Sequence, residues 1–430
     1  MKLVFRAYLI GLMLAASVLA QNFLSYPNGE YWRFPNARSL ALAGAGSLSL
    51  QGVGALVYNP AALANGRARL EGEISLTGRK LEERRGFPVF NRIDDVVQNG
   101  VYAINNNWFG NFQGGVVFRP AWKGFRPLKA ISVGRFTELD QDYDYEEEVR
   151  ENIFGDSLIA FNRIVQDGRL SRYGIGVAVA VTKNVFLGAQ LGVLSGDLSR
   201  DSTIAFVRRG GDVRGGREER KLDNTPLVAS FGLLARINSR LAVGSYLKLP
   251  YSLKYNYRFA AICNGCLPRD VVGRETLEYP LEWTLSAEYQ ARQALQARLS
   301  VEFNYQWWSK VAWRRTINGN QFTWGNYDDV FSVRVGVEHI FYNRIPFQVG
   351  LQYRSFFQRK QTTRTLISAG TGFMNRWWRV DVAGGVSRLN YRFPDLFPDT
   401  LFGGNRNNSP IDTVQETYFF GLATVRFFVK

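Results

Sequence analysis

The sequence predicts an all-β protein, a transmembrane antiparallel β-barrel of about fourteen strands with an N-terminal hatch (plug) inside its lumen. Three observations carry this. The chain opens with an export signal, period-two hydrophobic alternation recurs along most of its length, and the connections between alternating stretches change length with parity.

Residues 1–20, MKLVFRAYLIGLMLAASVLA, place Lys2 and Arg6 ahead of an apolar stretch centred on Leu9 to Ala16. Val18 and Ala20 supply a small-residue cleavage site before Gln21. The run is too short to span a bilayer as a helix, so it is a secretory signal peptide, and the mature chain works outside the cytoplasm. No later stretch is apolar enough to cross as a helix, which leaves a secreted soluble protein or an outer-membrane barrel. Composition leans to the barrel: Gly 42, Phe 31, Tyr 20 and Trp 10 are rich, while Cys 2, Met 3 and His 1 are poor. Aromatic residues gather at lipid–water interfaces. The formal net charge is +16, from 53 Lys and Arg against 37 Asp and Glu. An exported chain rarely meets nucleic acid, so a basic surface beside outer-membrane lipid and lipopolysaccharide is the simpler expectation, with plain solvation as the bland one. The expected location is the bacterial cell outer membrane.

The alternation is plainest from Tyr173 to Asp197. Tyr173, Ile175, Val177, Val179 and Val181 share one face, and Gly174, Gly176, Ala178 and Ala180 the other. After a turn at Thr182-Lys183-Asn184, Val185, Leu187, Ala189, Leu191 and Val193 resume the apolar face. Such a hairpin is long enough to cross a membrane. The unit recurs around a turn at Asn238-Ser239-Arg240, again over Phe331, Val333, Val335 and Val337, and again over Val380, Val382 and Val386. Charged residues on the opposite face, Arg334 and Glu338 among them, mean a wet lumen and make these two lumen-facing candidates.

Strands are expected to begin near Leu70, Phe112, Leu128, Tyr173, Val185, Leu227 and Leu241, then near Pro280, Leu295, Val330, Phe347, Thr365, Trp378 and Thr417. Connections after even-numbered strands are brief, as at 182–184, 238–240, 292–294, 342–344 and 375–377. Those after odd-numbered strands are long and polar: 79–111, 138–170, 199–224, 258–278, 310–327 and 393–413. Short periplasmic turns and long outer loops are the asymmetry of a bacterial barrel. A sandwich or propeller has no reason to sort its loops by parity.

Residues 21–69 precede the first strand and form the expected hatch, with the barrel over 70–430. Asn59 suits an N-cap, Pro60 the first helical position, and Asn65-Gly66 a left-handed end, which predicts a short capped helix. Leu40 to Leu56 is apolar but made of small residues, so it can pack with its backbone close to a wall. A barrel of this strand number is too wide for side chains alone to fill.

At this point the residues carry a likeness. ARSLALAGAGSLSLQGVGALVYNPAALA resembles the N-terminal hatch of the FadL/TodX superfamily of outer-membrane fatty acid and hydrocarbon transporters, with Asn59-Pro60-Ala61 at that family's NPA motif. RLAVGSYLKLPYSLKY, LQARLSVEFNYQWWSKV and RVGVEHIFYNRIPFQVGLQY are similar to later family segments in the same order. Two departures stand out. Gln51-Gly52-Val53-Gly54 replaces the acidic residues that often precede the motif, and the chain ends Phe427-Phe428-Val429-Lys430 without a terminal aromatic. The resemblance implies uptake of hydrophobic compounds by a monomer, with Asn59, Pro60 and Ala61 as hatch or gating residues. It implies capture at the outer loops and release near the hatch or sideways through the wall. Tyr418, Phe420 and Leu422 share a face with Thr424 and Arg426, so they are the expected apolar lumen positions for such a solute. Gly114-Gly115 is a candidate kink, because paired glycines weaken a strand. The alternative is a subunit or shuttle of a protein secretion system, as in barrels resembling PorV and PorQ, with no small-molecule substrate.

Other motifs give no enzyme and no cofactor. FGDSL at 154–158 imitates an esterase block around Ser157, but the single histidine, His339, lies on the lipid-facing parity of a late strand. Asp140, Asp142, Asp144 and Glu151 have calcium-loop spacing, yet Tyr145 stands where that loop needs Gly, so an acidic outer loop and no metal site are expected, with a divalent cation as the lesser alternative. Cys263 and Cys266 lie in an outer loop of an exported chain and are a possible disulfide. Arg208 to Lys221 is a basic outer loop, and Trp307, Trp308, Trp377 and Trp378 are expected in the interfacial girdle.

Overall fold

The computed structural model describes residues 29–31, 34–66, 68–93, 95–120, 127–150, 157–207, 211–264, 270–292, 297–342, 344–358, 362–397, 399–402 and 411–429. The expected signal peptide, residues 1–20, lies outside them. No helix among the described residues is long and apolar enough to cross a membrane.

The chain crosses with strands. In chain order these are β1 (Leu70–Phe90), β2 (Val96–Phe118), β3 (Leu128–Asp140), β4 (Leu158–Ala180), β5 (Val185–Ser195), β6 (Leu227–Arg236) and β7 (Leu241–Lys248). There follow β8 (Glu282–Arg292), β9 (Ala297–Gln306), β10 (Val330–Phe341), β11 (Ile345–Ser355), β12 (Thr363–Met374), β13 (Trp378–Pro394) and β14 (Ile411–Val429). Each pairs antiparallel with its neighbours in this order. β14 returns to β1, from Leu70 opposite Val429 to Gly86 opposite Thr413. The result is a closed barrel of fourteen strands.

The period-two pattern sorts residues as a membrane demands, opposite to a water-soluble protein. Ile74, Trp108, Phe112, Ile175, Leu187, Phe231, Val337 and Phe347 point out and are exposed, whereas Glu73, Ser75, Arg79, Gln113, Glu302, Arg334, Glu338 and Arg426 point in and are buried. The outer face meets lipid, and the inner face must satisfy its charges within the protein.

The connections differ from the long polar loops expected at one end. The stretch 79–111 is mostly wall: β1 and β2 pair up to Phe90 opposite Val96. β4 begins at Leu158, not near Tyr173, and β14 at Ile411, not near Thr417. The other long connections hold the strands Tyr143–Arg150, Leu198–Phe206, Val213–Leu222, Tyr251–Cys263, Asp270–Tyr279, Trp313–Ile317 and Asn320–Trp324. With the first half of β4 they form one continuous antiparallel sheet standing above the wall. The reason is solvent. Beyond the bilayer the outward positions face water, so these strands carry charge there in place of an apolar period. Cross-strand ion pairs supply part of the contact, including Arg163 with Asp144 at 3.1 Å and Arg258 with Asp270 at 2.6 Å.

The opposite end keeps its short turns, such as 181–184 between β5 and its predecessor and 237–240 between β6 and β7. That end faces the periplasm in bacterial barrels. In intact cells a cysteine introduced as Lys221→Cys, in the upper sheet, should therefore react with an impermeant maleimide. One introduced as Asn238→Cys, in a short turn, should stay unlabelled until the outer membrane is opened; the reverse pattern would invert the topology.

Candidate functional site

The N-terminal segment enters the lumen with short helices, two of them capped by its own asparagines. Asn36 caps α1 (Ala37–Ala41) in a capping box: its Oδ1 accepts from Ser39 N at 2.9 Å, and its own N–H donates to Ser39 Oγ at 3.2 Å. α2 (Ala55–Tyr58) follows, then a 3₁₀ helix over Pro60–Asn65. Asn59 caps this last helix by accepting from Ala61 N at 3.1 Å, and its Nδ2 donates to Leu233 O on β6 at 3.1 Å. The left-handed end expected at Asn65-Gly66 is absent, since Gly66 has φ −75 and is extended. The Asn65 amide is engaged elsewhere: its Nδ2 donates to Leu48 O at 2.6 Å, and its Oδ1 accepts from Arg236 at 2.8 Å. The chain therefore leaves straight towards β1.

Asn59, Pro60 and Ala61 are buried against a wall shaped for them. Gly188 on β5 and Gly232 on β6 lie directly opposite each other in register. A Cβ at Gly188 would overlap the backbone of Pro60 and Ala61, and one at Gly232 would overlap Asn59 Oδ1. Only glycine lets the two backbones come this close.

The segment touches every wall strand. Asn36 Nδ2 donates to Glu73 on β1 at 3.2 Å, and Phe34 O accepts from Gln113 on β2 at 2.6 Å. Val53, Leu56 and Ala62 pack with Ala130 and Phe136 of β3 and Ala178 of β4. Ala61 packs with Phe186 of β5 and Asn59 bonds β6, while Leu48 lies against Gly244 of β7. Ser47 reaches Ser286 Oγ on β8 at 3.0 Å, and its N–H donates to Glu302 on β9 at 2.7 Å. α1 lies along β11 and β13, Ala41 O accepts from Ser368 of β12 at 3.2 Å, and Ala37 N donates to Thr424 of β14 at 2.8 Å. The contact with β10 is ionic. Arg38 grips Glu338 with two bonds, Nε to Oε1 at 2.8 Å and Nη2 to Oε2 at 2.7 Å.

Around this grip the lumen charges pair in a belt. Gln348 donates to Glu338 at 2.8 Å. Arg334 lies 3.5 Å from Glu302 and donates to Gly44 O of the segment at 3.5 Å. Arg426 lies 3.5 Å from Asp381, 3.6 Å from Glu71 and 3.8 Å from Glu73. Charges removed from water must be matched in this way.

Between the segment and the upper sheet runs an apolar column. Tyr418, Phe420 and Leu422 are buried in it with Phe34, Leu40, Leu81, Phe109 and Leu366, and Ile204 and Phe206 join from above. Phe34 meets Phe420 edge-on at 6.2 Å. The Tyr418 hydroxyl donates to Glu416 at 2.9 Å, and the Arg364 guanidinium lies 4.1 Å from its ring centre. Sequence reasoning missed Phe34, Leu81, Phe109, Ile204 and Phe206. Leu81 sits among charged neighbours, Arg79, Lys80, Glu82 and Glu83, with no apolar period to mark it.

Among the described residues, the column borders the one wall interface whose ladder stops short. β2 and β3 pair only from Phe118 opposite Ile131 to Gly114 opposite Arg135, although both strands continue upward. Above Gly114 the edge of β3 pairs instead with Glu30–Tyr31, Glu30 opposite Asp140 and Tyr31 opposite Leu139. β3 also slips register against β4 between Thr137 and Leu139. Side chains bridge where backbone bonds are missing. Arg135 donates to Phe112 O at 2.8 Å and to Ser171 at 2.9 Å, Arg169 donates to Gly110 O at 3.4 Å, and Asn111 donates to Thr137.

The remaining candidates scatter. Asp142 accepts from Gly168 N and Asp144 pairs with Arg163, while Glu151 lies outside the described residues. Among the described residues no group of three or more His, Cys, Asp or Glu could hold a metal ion. His339 lies on β10 with its ring 4.2 Å from Phe341. Cys263 is disulfide-bonded, and Cys266 lies outside the described residues. Trp308 is not in the girdle. It is buried inside, stacked on Phe357 at 4.2 Å, with its indole N–H donating to Gln306 at 2.8 Å.

No family model and no curated protein matches the chain. Solved structures do. A Pseudomonas aeruginosa FadL homologue superposes with a TM-score of 0.65 at 12% identity, over 94% of this chain and 100% of the other. The Ralstonia pickettii toluene transporter TbuX gives 0.59 at 14% identity, over 92% and 98%. The P. putida toluene transporter TodX gives 0.59 at 12% identity, over 92% and 99%. The chain shares the fold of these FadL-like barrels.

Two substitutions should separate the ties of the segment by size. Arg38→Ala leaves Glu338 with Gln348 and the more distant Arg298, and should cost about 3–5 kcal/mol, the usual loss on breaking a buried pair. Asn59→Ala removes a cap and should cost about 0.5–2 kcal/mol. Amide exchange over residues 37–65 should accelerate in both and more in the first; the opposite order would show that the ion pair does not anchor the segment.

Proposed function

We propose that the chain is a bacterial outer-membrane transporter for uptake of hydrophobic compounds, long-chain fatty acids or hydrocarbons, in which residues 21–69 act as a hatch. The observation that carries this reading is the apolar column that ends at the short β2–β3 ladder, while the N-terminal segment touches all fourteen strands below it. An apolar solute gains about 25 cal/mol for each Å² it withdraws from water. It would gain that in the column and again in the bilayer, but not at the charged belt beneath. The favourable course for it is thus inward from the upper sheet, along Phe206, Phe420 and Phe109, and sideways between β2 and β3 into the membrane. Gly114 and Gly115 mark the lower limit of that opening, and Asn59-Pro60-Ala61 keep the axial route closed. The upper sheet with its basic residues meets lipopolysaccharide, and the transporter works as a monomer. The named substrates of the toluene transporters with this fold fit the same chemistry.

A cross-link across the opening tests the route. Asn111→Cys with Thr137→Cys places two thiols where the side chains already meet. Oxidation should abolish uptake of a radiolabelled fatty acid or of toluene by intact cells, and reduction should restore it, with barrel content unchanged. Uptake that persists when the bond is formed would overturn the sideways route. Absence of uptake by the unmodified chain, with loss of an exported protein on its deletion, would overturn the transporter reading in favour of a secretion subunit.

A further inference from the structure

We propose that the short-turn mouth of the barrel carries a binding site for a small oxyanion, a carboxylate or phosphate group, which fastens the N-terminal segment to the wall. A cavity of about 340 Å³ opens there, lined on one side by Leu48, Ser49, Gln51 and Asn65 of the segment and on the other by residues of β6 to β9 and their turns. Its charged residues are three guanidinium groups, Arg236, Arg240 and Arg298, against one carboxylate, Glu288. The excess is cationic, and guanidinium forks match the paired oxygens of carboxylate and phosphate.

Donors there are also left over. Arg298 Nε is shielded from solvent and has no hydrogen-bond partner; it lies 4.0 Å from Glu288, while Arg298 Nη1 lies 3.8 Å from Glu338. Behind the cavity, Arg38 Nη1 is likewise without a partner, although Arg38 Nη2 donates to the cavity residue Ser49 at 2.8 Å. Buried donors ordinarily find an acceptor, and an oxyanion in the cavity would supply one. It would touch the wall through Arg240 and Arg298 and the segment through Ser49, beside Asn65, whose amide already binds Arg236. It would also sit next to the chain of charges Arg298, Glu338 and Arg38 that holds the segment. A ligand that binds the docked arrangement better than the undocked one must stabilise docking. This site is independent of the transport reading, because it lies at the mouth away from the apolar column.

The test is amide exchange of residues 38–65 in the purified full-length barrel, with inorganic phosphate or succinate added and chloride at equal ionic strength as the screening control. Saturable slowing by phosphate or succinate beyond the chloride control is the expected result. Arg240→Gln should weaken the half-saturating concentration about tenfold, the loss of one charge-assisted bond, and Glu288→Gln should strengthen it. Nanodiscs settle the source: slowing in phosphatidylglycerol discs without soluble anion assigns the site to a lipid headgroup, and slowing in phosphatidylcholine discs only on adding phosphate assigns it to a solute. Slowing no greater than with chloride, or the same in wild type, Arg240→Gln and Arg298→Gln, would overturn the site.

Discussion

A closed wall of fourteen strands encloses more space than its own side chains can fill, and much of this structure answers that constraint. The filler must come from the chain itself. It must also suit a wall whose inward residues are charged, since the outward ones belong to lipid. The N-terminal segment meets both demands. Its small residues let its backbone lie against Gly188 and Gly232, and its few polar residues fall where the wall has charges to satisfy. Arg38 with Glu338, Asn36 with Glu73 and Ser47 with Glu302 are three such meetings on three different strands.

The same arrangement divides the interior by polarity. The belt around Arg38, Arg334 and Arg426 is ionic and closely paired, whereas the column above it is mainly aromatic and aliphatic, with the buried charges beside it, Glu83, Arg85, Arg364 and Glu416, bound to one another or to its tyrosines and rings. On the proposed reading, water and ions would be held at the first and apolar solutes accommodated in the second. With the axis occupied, the weakest part of the wall beside the column is the stretch of β2 and β3 above Gly114, where single side-chain bonds replace a ladder. Among the described residues the fourteen-stranded wall thus has a local edge here, held by Glu30–Tyr31 and by Arg135.

What was legible in the sequence followed from solvent. Where one strand face meets lipid, Ile175 or Val337 must alternate with Gly176 or Glu338, so the membrane part of the wall, its short turns and its strand number could be read directly. Above the bilayer that pressure ends. LEERRGF and VRGGREERKL carry no apolar period, and both are strands held by backbone pairing and ion pairs. The inward parity of Tyr418, Phe420 and Leu422 was visible from alternation, but their partner Phe34 lies almost four hundred residues away in sequence, roughly the whole mature chain, and nothing local signals it. The inward parity of Glu338 was legible too, but its pairing with Arg38 is hidden for the same reason. Trp308 looked interfacial because it ends a strand; only the fold turns it inward on to Phe357. The pair Gly114-Gly115 hinted at a weak point, yet the neighbour from which β2 parts could not be named without the register.

The account rests on the N-terminal segment filling the lumen, and single-channel conductance in a planar bilayer tests that most directly. The whole chain should show little steady ion current for a barrel of its strand number. A chain lacking residues 21–64, folded to the same strand content, should conduct as an open aqueous pore with a several-fold larger current. Equal currents from the two would mean that the segment does not close the lumen, and the division between an ionic belt below and an apolar route above would lose its basis.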